Sequence, residues 1–269
     1  MSSFNPAAHA ELRDSLTAIS ISAAEAIRCA QTQDSVQIKS DGSPVTAADE
    51  AAEAVIREGL TRLAPNLPII SEEEAERERP AVRSGSYFLV DPLDGTKEFI
   101  SGRDEYTVNI ALVVEGIPTV GVIAAPAQGT IWRGAVGQGA DRLKFSEGKA
   151  GLPQMIKTRP KPRDELVVMV SRSHLEARTQ AFLDGFPRTR PIGCGSSVKF
   201  CRLAEGTADL YPRLAPTHDW DIAAGHAILT AAGGSVVAPD GSSLIYGSAD
   251  LIIPAFVAWG DPTAATIRG

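Results

Sequence analysis

The chain has little cysteine and no excess of basic residues, and each shortage argues against a class of protein. Three cysteines occur among 269 residues, an odd number without metal-type spacing, which predicts free thiols in a reducing compartment. The formal net charge is −7. A surface that follows a polymer of phosphates needs basic excess, so we expect no nucleic-acid polymer as a partner.

Long apolar runs and targeting signals are also missing from the sequence. No apolar run approaches the ~20 residues that a membrane span needs. The first residues, Met1-Ser2-Ser3-Phe4, lack the basic and apolar regions of a signal peptide. The sequence therefore predicts a cytoplasmic protein without a transmembrane segment.

The composition is that of a globular protein, with 43% hydrophobic and 22% charged residues. The length allows one large domain or two packed halves. We expect a single domain over 1–269 with subdomains of about 1–150 and 151–269, because the segment 141–163 is rich in Lys, Arg, Pro and Gly. Helices mixed with parallel and antiparallel strands favour a layered α/β or α+β fold. The predicted helices span 8–32, 46–63, 174–184, 196–205 and 221–232, and the predicted strands span 67–70, 87–91, 106–114, 118–125, 130–136, 165–171, 189–193, 208–212, 235–238 and 252–259.

The most informative stretch follows the apolar run 87–90 and reads Asp91-Pro92-Leu93-Asp94-Gly95-Thr96. Pro92 between the acids argues against a helix interior. Two carboxylates at a strand end can hold a hard cation, and a Gly-Thr turn can offer backbone N–H groups to a phosphate. The pattern predicts metal-assisted phosphate chemistry.

Other acids stand at the starts of helices or directly after apolar segments. Glu72 follows the strand 67–70, Asp221 follows Trp220, and Asp49 lies in the first turn of the second helix, where Thr46 forms a capping-box pattern with it. Taken singly, an Asp at a helix start is usually a cap and a run of Glu is usually a solvated face. Gathered in one place they would repel each other unless cations bind there, and all-oxygen ligands favour Mg²⁺ or Mn²⁺.

The sequence resembles the lithium-sensitive, Mg²⁺-dependent phosphatase superfamily that includes inositol monophosphatase and fructose-1,6-bisphosphatase. The resemblance rests on the hexad at 91–96 and on Trp220-Asp221-Ile222-Ala223-Ala224-Gly225, and it extends from Val45 to the final strand. It implies an α+β fold, a layered αβαβα sandwich with two subdomains and the site between them. It also implies inhibition by lithium.

Within that superfamily the sequence is most similar to the 3'(2'),5'-bisphosphate nucleotidases. This narrower resemblance rests on Asp94-Gly95-Thr96-Lys97-Glu98-Phe99, on 170–174, on 195–201 with 210–213, and on Ser71-Glu72-Glu73. It implies hydrolysis of adenosine 3',5'-bisphosphate to AMP and phosphate in sulfur assimilation, and the sulfated form of that nucleotide is a further implied substrate.

The resemblance implies a set of metal ligands. Glu72, Asp91 and the Leu93 carbonyl would hold one Mg²⁺, while Asp91, Asp94 and Asp221 would hold a second. A third, weaker ion would be held by Glu72 and waters. Two cations bridged by one carboxylate would clamp a phosphate and activate a water.

The resemblance also assigns residues to the water and to the substrate. Thr96 and Asp49 would orient and deprotonate the attacking water, and the Gly95 and Thr96 amides would bind the scissile phosphate. The second phosphate needs its own binder. We expect Lys199 and Arg213 as its cations, with Ser196 and His174 as hydrogen-bond donors.

Two alternatives remain open from the sequence. An inositol or other sugar monophosphatase would keep the chemistry and change the substrate. A non-catalytic phosphometabolite sensor would keep only the fold. The resemblance is compatible with a monomer or a homodimer and with peripheral association with the cytoplasmic side of an inner membrane.

Overall fold

The computed structural model describes residues 6–31, 36–38, 44–74, 85–172 and 176–266. The first half builds a long mixed sheet with helices on one side. Its elements are α1 (Pro6–Ala30), β1 (Val36–Ile38), β2 (Pro44–Thr46), α2 (Ala47–Leu63), β3 (Ile69–Ser71), a 3-10 turn (Glu72–Glu74), β4 (Ser86–Asp94), α3 (Thr96–Ile100), β5 (Thr107–Val114), β6 (Ile117–Ala125), β7 (Thr130–Ala135), β8 (Gly139–Ser146), β9 (Lys149–Ala150) and β10 (Gln154–Ile156).

The second half builds a smaller mixed sheet. Its elements are β11 (Leu166–Ser171), α4 (Ala177–Leu183), β12 (Thr189–Cys194), α5 (Val198–Ala204), β13 (Leu210–Arg213), β14 (Thr217–His218), α6 (Asp219–Ala231), β15 (Ser235–Val237), β16 (Ile252–Ile253), β17 (Phe256–Trp259) and a 3-10 turn (Pro262–Thr266).

The two main sheets have different strand orders. The larger runs β10-β8-β7-β6-β5-β4-β3, with β9 paired to β8, and is antiparallel except for the parallel pair β3–β4. The smaller runs β12-β11-β13-β17-β15, with β11 parallel to both β12 and β13. The hairpin predicted between 118–125 and 130–136 is confirmed as β6–β7.

Three apolar cores separate the layers. One joins α1 and α2 to one face of the larger sheet, a second joins the other face to α5, α6 and the smaller sheet, and a third lies between α4 and the far face of the smaller sheet. The order is therefore helix, sheet, helix, sheet, helix, and the predicted αβαβα sandwich is confirmed.

Small residues let α6 fit between the two sheets. A Cβ on Gly225 would collide with the Phe200 ring of α5, and a Cβ on Gly121 of β6 would collide with the Ala224 carbonyl. The pair Ala224-Gly225 in the second motif therefore brings the α6 backbone against both neighbours. This close packing fixes the helix whose first turn carries Asp221.

The structure differs from the sequence prediction in the middle of the chain. The segment 141–163, predicted to connect the halves, continues the larger sheet as β8, β9 and β10 as far as Ile156. The smaller sheet begins at Leu166, so 157–165 is the connection. The predicted strand at 252–259 is divided into β16 and β17. The division into subdomains near residue 150 stays a prediction.

Candidate active site

A bulge at the end of β4 brings two acids to one place. The register of β4 with β5 pairs Asp91 with Asn109 and Asp94 with Thr107, and it shifts between these pairs. Side chains three positions apart on a regular strand would face opposite sides of the sheet, but an extra residue in a bulge re-aims them. Pro92, which has no N–H to give to a ladder, lies within this irregular stretch.

Asp91 is the most deeply buried of the predicted site acids, with 1% of its surface exposed. Its Oδ1 accepts the Leu93 N–H at 3.0 Å. Burial, and then the charges of Glu72, Asp94, Asp221 and Asp49, raise the pKa of Asp91 well above its ordinary value. Asp91 therefore lies at the centre of a field of like charges.

Asp94 is bound by the second half of the molecule as well as by the first. Its Oδ2 accepts the Ser197 N–H at 2.6 Å and the Asn109 side-chain amide at 3.4 Å. Burial and the Asp221 charge raise the pKa of Asp94 to about 6, while Lys199 and these hydrogen bonds oppose the rise. Ser197 Oγ in turn donates to Asn109 Oδ1 at 2.6 Å and lies 2.8 Å from Thr107 Oγ1.

Asp221 is fixed by residues that precede it on the chain. Its Oδ2 accepts the Thr217 hydroxyl and, at 3.2 Å, the His218 N–H, as in a capping box at the start of α6. The His218 ring stacks on Trp220, with centroids 4.5 Å apart and planes 8° apart. This local geometry aims Asp221 toward Asp91 and Asp94, whose pKa values it raises.

Glu72 reaches the same place from a neighbouring strand. Strand β3 runs parallel to β4 with Ser71 opposite Val90, so the next residues, Glu72 just after β3 and Asp91 within β4, lie beside each other. The preceding Ser71 hydroxyl donates to Glu53 of α2, which is also paired with Arg57 at 3.0 Å. These contacts anchor the start of the 3-10 turn that carries Glu72.

Asp49 and Thr96 form the predicted pair. Asp49 Oδ2 accepts both the N–H (2.8 Å) and the hydroxyl (2.6 Å) of Thr46, which confirms the capping-box pattern at the start of α2. Asp49 Oδ1 faces the Thr96 hydroxyl at 3.3 Å. Thr96 Oγ1 also lies 3.2 Å from the Leu93 carbonyl oxygen. One carboxylate oxygen thus holds the helix start, and the other is directed to Thr96.

Gly95 and Ser196 adopt left-handed backbone conformations where the two halves meet. Gly95, with φ of 93°, precedes the short helix α3. A Cβ on Gly95 would lie 3.1 Å from the Glu105 carbonyl oxygen and 3.4 Å from Ser196 Cβ. Ser196 has φ of 44°, and its buried Oγ has no hydrogen-bond partner among the described residues. The Gly95-Thr96 turn and the loop after β12 therefore lie close together.

Lys199 and Arg213 both lie within electrostatic reach of the acids. Lys199 is 5% exposed, and its Nζ donates to the carbonyls of Ser196 (2.5 Å) and Cys194 (3.2 Å). Burial lowers the pKa of Arg213, but Tyr211, Asp221 and Asp94 outweigh burial and raise it overall. The structure thus brings Lys199 and Arg213 to the acids and shows that Lys199 also supports the loop that carries Ser196.

His174 lies outside the described residues. A cavity of about 300 Å³ lies between β7, β8 and the end of α5, where Trp132, Arg142 and Arg202 line it. No predicted site residue lines this cavity. We therefore place the candidate active site at Asp91, Asp94 and Asp221 and not in the cavity.

The acids fit a hard cation by their chemistry. Within the described ranges no group of three or more Asp, Glu, His or Cys side chains forms a ready-made ion cage. The donors are nevertheless all oxygens, and each of Asp91, Asp94 and Asp221 has one oxygen outside the hydrogen bonds given above. Buried carboxylates that raise each other's pKa are stabilised as anions by a bound cation.

Sequence reasoning missed the residues that hold these acids. Asn109, Ser197 and Thr107 bind or support Asp94, and Thr217 binds Asp221. The spacing of Thr217 and His218 before Asp221 could have revealed a helix cap. Asn109 and Ser197 give no comparable local signal, because they meet Asp94 only in the folded chain.

The fold and the acids define a family of phosphatases. Residues 9–268 match the model of the inositol monophosphatase family, and this chain belongs to that family. Its members are metal-dependent phosphatases.

Several relatives of this chain are 3'(2'),5'-bisphosphate nucleotidases. The chain is 45% identical to the 3'(2'),5'-bisphosphate nucleotidase CysQ of Shigella flexneri over 208 residues, which is 77% of this chain and 81% of the relative. It is 32% identical to CysQ of Haemophilus influenzae over 236 residues, 86% of each chain. The crystal structure of CysQ from Bacteroides thetaiotaomicron superposes with a TM-score of 0.78 at 34% identity, covering 93% of this chain and 97% of that one.

Proposed function

We propose that this protein is a Mg²⁺-dependent 3'(2'),5'-bisphosphate nucleotidase that hydrolyses adenosine 3',5'-bisphosphate to AMP and phosphate. In this reaction a water oxygen bonds to phosphorus and the bond from phosphorus to the ribose 3'-oxygen breaks. That oxygen leaves with the bonding electrons and takes up a proton to become the 3'-hydroxyl of AMP. Membership in the family and the names of the CysQ relatives support the substrate. The observation that carries the chemistry is the junction of Asp91, Asp94 and Asp221 next to the Thr96–Asp49 pair.

Five residues would hold the cations. Glu72, Asp91 and the Leu93 carbonyl form one ligand set, Asp91, Asp94 and Asp221 form another, and Glu72 would also serve a third, weaker ion. When bound, Mg²⁺ supplies charge that stabilises the phosphate oxygens and makes a water more acidic. All-oxygen donors suit Mg²⁺.

Thr96 and Asp49 prepare the water in this proposal. Asp49 Oδ2 accepts hydrogen bonds from Thr46, and Asp49 Oδ1 accepts a hydrogen bond from the Thr96 hydroxyl. The Thr96 oxygen then has lone pairs free to accept a hydrogen bond from water. This relay orients the water and gives its proton a path to Asp49, as in general-base catalysis.

The substrate binds across the junction of the halves. The Gly95 and Thr96 amides take the scissile phosphate. Lys199 and Arg213 attract the second phosphate, and Ser196 donates a hydrogen bond to it. His174 remains a predicted donor to that phosphate.

A substrate panel with and without Mg²⁺ tests the proposal. We expect Mg²⁺-dependent phosphate release that is faster from adenosine 3',5'-bisphosphate than from inositol 1-phosphate, because only the bisphosphate uses Lys199 and Arg213. A clear preference for the inositol substrate would identify a sugar-phosphate phosphatase instead. No Mg²⁺-stimulated release from any substrate would favour a non-catalytic sensor.

The same proposal includes the predicted compartment. Cys29, Cys194 and Cys201 are all free thiols, as expected in the reducing cytoplasm. No helix in the described part of the chain is long and apolar enough to cross a membrane. The oligomeric state, peripheral membrane association and a role in sulfur assimilation remain predictions.

A further inference from the structure

Glu105 lies where the Gly95-Thr96 turn approaches the loop after β12. Its Oε2 accepts the Gly195 N–H at 2.9 Å. A Cβ on Gly195 would lie 2.9 Å from the Glu105 carbonyl oxygen and 3.0 Å from Glu105 Cβ, and a Cβ on Gly95 would lie 3.1 Å from the same carbonyl. Glu105 therefore binds Gly195 of the second half and lies close to Gly95 of the first.

Arg172 holds the Glu105 carboxylate from the second half. Arg172 Nε donates to Oε2 at 3.0 Å, and Arg172 Nη2 donates to Oε1 at 2.5 Å. Strands β11 and β12 are parallel with Ser171 opposite Cys194. The next residues, Arg172 and Gly195, therefore leave the sheet side by side and reach one carboxylate.

The three hydrogen bonds to the Glu105 carboxylate lower its pKa more than partial burial raises it. Burial raises the pKa of Glu105, but the hydrogen bonds from Arg172 and Gly195 hold it below its ordinary value. The side chains are 43% (Arg172) and 18% (Glu105) exposed. A partly exposed ion pair contributes little to stability, but a bidentate pair that also binds a backbone N–H fixes position.

The part of the loop that Glu105 controls is short. Ser197 is held independently by Asp94, Asn109 and Thr107. Gly195 and Ser196 lie between Ser197 and the end of β12. Ser196 has a left-handed backbone and a buried hydroxyl without a hydrogen-bond partner among the described residues. The direction of that hydroxyl depends on how Glu105 fixes Gly195, together with the hydrogen bond from Lys199 to the Ser196 carbonyl.

We propose that Glu105, held by Arg172, is a positioning residue that aims Ser196 and so favours substrates with a second phosphate. The inference rests on the proposed function, in which Gly95 and Thr96 hold the scissile phosphate and Ser196 donates to the other. It adds a determinant of specificity that acts without touching the substrate.

The variants Glu105→Gln and Arg172→Lys test this role. Glu105→Gln removes the negative charge of the carboxylate. Arg172→Lys keeps the positive charge but loses the planar guanidinium that donates two parallel hydrogen bonds. We expect the KM for adenosine 3',5'-bisphosphate to rise about tenfold in Glu105→Gln and less in Arg172→Lys, with kcat within about twofold. The inhibition constant of inorganic phosphate, which fills only the scissile-phosphate site, should change less than about twofold.

The matched control is Glu165→Gln. Glu165 pairs with Arg190 Nε at 3.3 Å near the opposite ends of β11 and β12, so its loss tests an exposed ion pair on the same strands. We expect its KM to equal that of the wild type. Equal changes in KM and in the phosphate inhibition constant of Glu105→Gln, or no change in either, would overturn the inference.

A second measurement separates positioning from general loosening of the fold. In a Ser196→Ala background, Glu105→Gln should add little to the KM, because the hydroxyl that it aims is gone. Fully additive effects would show that Glu105 does not act through Ser196 and would overturn the inference. Failure of the proposed function would show differently, as wild-type enzyme that does not hydrolyse the bisphosphate.

Discussion

The backbone N–H of Ser197 donates to Asp94 Oδ2 at 2.6 Å, although the two residues are 103 positions apart. This bond joins the loop before α5 to the acid at the end of β4. Because Ser197 Oγ also binds Asn109, which itself donates to Asp94, the contact is part of a closed network. Asp94 and the loop before α5 are therefore positioned by the same residues.

Asp94→Asn should abolish most activity. The change removes the charge of a proposed metal ligand, and the amide nitrogen would face the Ser197 N–H if the side chain rotated, so cation affinity should fall. We expect kcat to drop by about 10²-fold or more and the Mg²⁺ needed for half activity to rise. Steady-state kinetics over a Mg²⁺ titration measure both. Asp240→Asn, in an exposed turn with Ser242, is the control, and near-normal turnover of Asp94→Asn would refute the ligand assignment.

Asp49→Asn and Thr46→Ala should separate the two functions of Asp49. Thr46→Ala removes a helix cap and should cost about 1 kcal/mol of the free energy of unfolding with little change in kcat. Asp49→Asn also weakens the cap but removes the acceptor for Thr96, so kcat should fall by roughly 10²–10⁴. Thermal unfolding and kcat are measured on both variants. If the two variants lose activity equally, Asp49 acts only on the fold.

Two acids of the candidate site could be proposed from the sequence because of the patterns around them. Asp91 follows a fully apolar run, and Asp221 opens a helix within a motif of small residues. The bulge was not predictable, because Pro92 in the sequence indicates a turn as readily as an irregular strand. The partners of Asp94 were not predictable either, since Asn109 and Ser197 approach it only through the sheet and the second half.

Strands made mostly of apolar residues were predicted from the sequence, whereas a strand that alternates apolar and polar residues was missed. In strand β8 the exposed polar residues Lys144 and Ser146 alternate with the buried residues Leu143 and Phe145. This alternation is typical of a strand with one solvated face, but the basic residues and glycines nearby suggested a linker. Its pairing with β7, which no local feature encodes, decides the structure.

Lys199→Ala should raise the KM for adenosine 3',5'-bisphosphate much more than the KM for a monophosphate. Lys199 brings charge to the site and binds the carbonyls of Ser196 and Cys194, so the variant loses both attraction and loop support. We expect a rise of about tenfold or more for the bisphosphate, as for the loss of a charged hydrogen bond. Lys144→Ala is matched, because Lys144 also donates to a carbonyl, that of Gln128, in a region lined by no predicted site residue. Equal effects on both substrates would reject phosphate binding by Lys199.

The pH dependence of stability should report on His226. Burial lowers the pKa of His226 from 6.5 to about 4, and its Nδ1 lies 2.9 Å from the Tyr246 hydroxyl. Below pH 6.5 the unfolded chain binds a proton at the His226 side chain, whereas the folded protein binds it only near pH 4. This contribution to stability is therefore complete above pH 6.5 and is lost as the pH falls toward 4, by up to about 3 kcal/mol.

Denaturant unfolding between pH 4 and 8 of the wild type and His226→Gln isolates this contribution. The acids Asp94 and Asp219, whose pKa values burial raises to about 6, act in the opposite direction in both proteins. The difference between the two curves should therefore shrink as the pH falls from 6.5, because only the wild type carries the histidine. Tyr246→Phe removes the hydrogen bond but keeps the titrating ring, so its curve should stay parallel to that of the wild type. A constant difference between wild type and His226→Gln at every pH would show that His226 keeps its ordinary pKa in the folded protein.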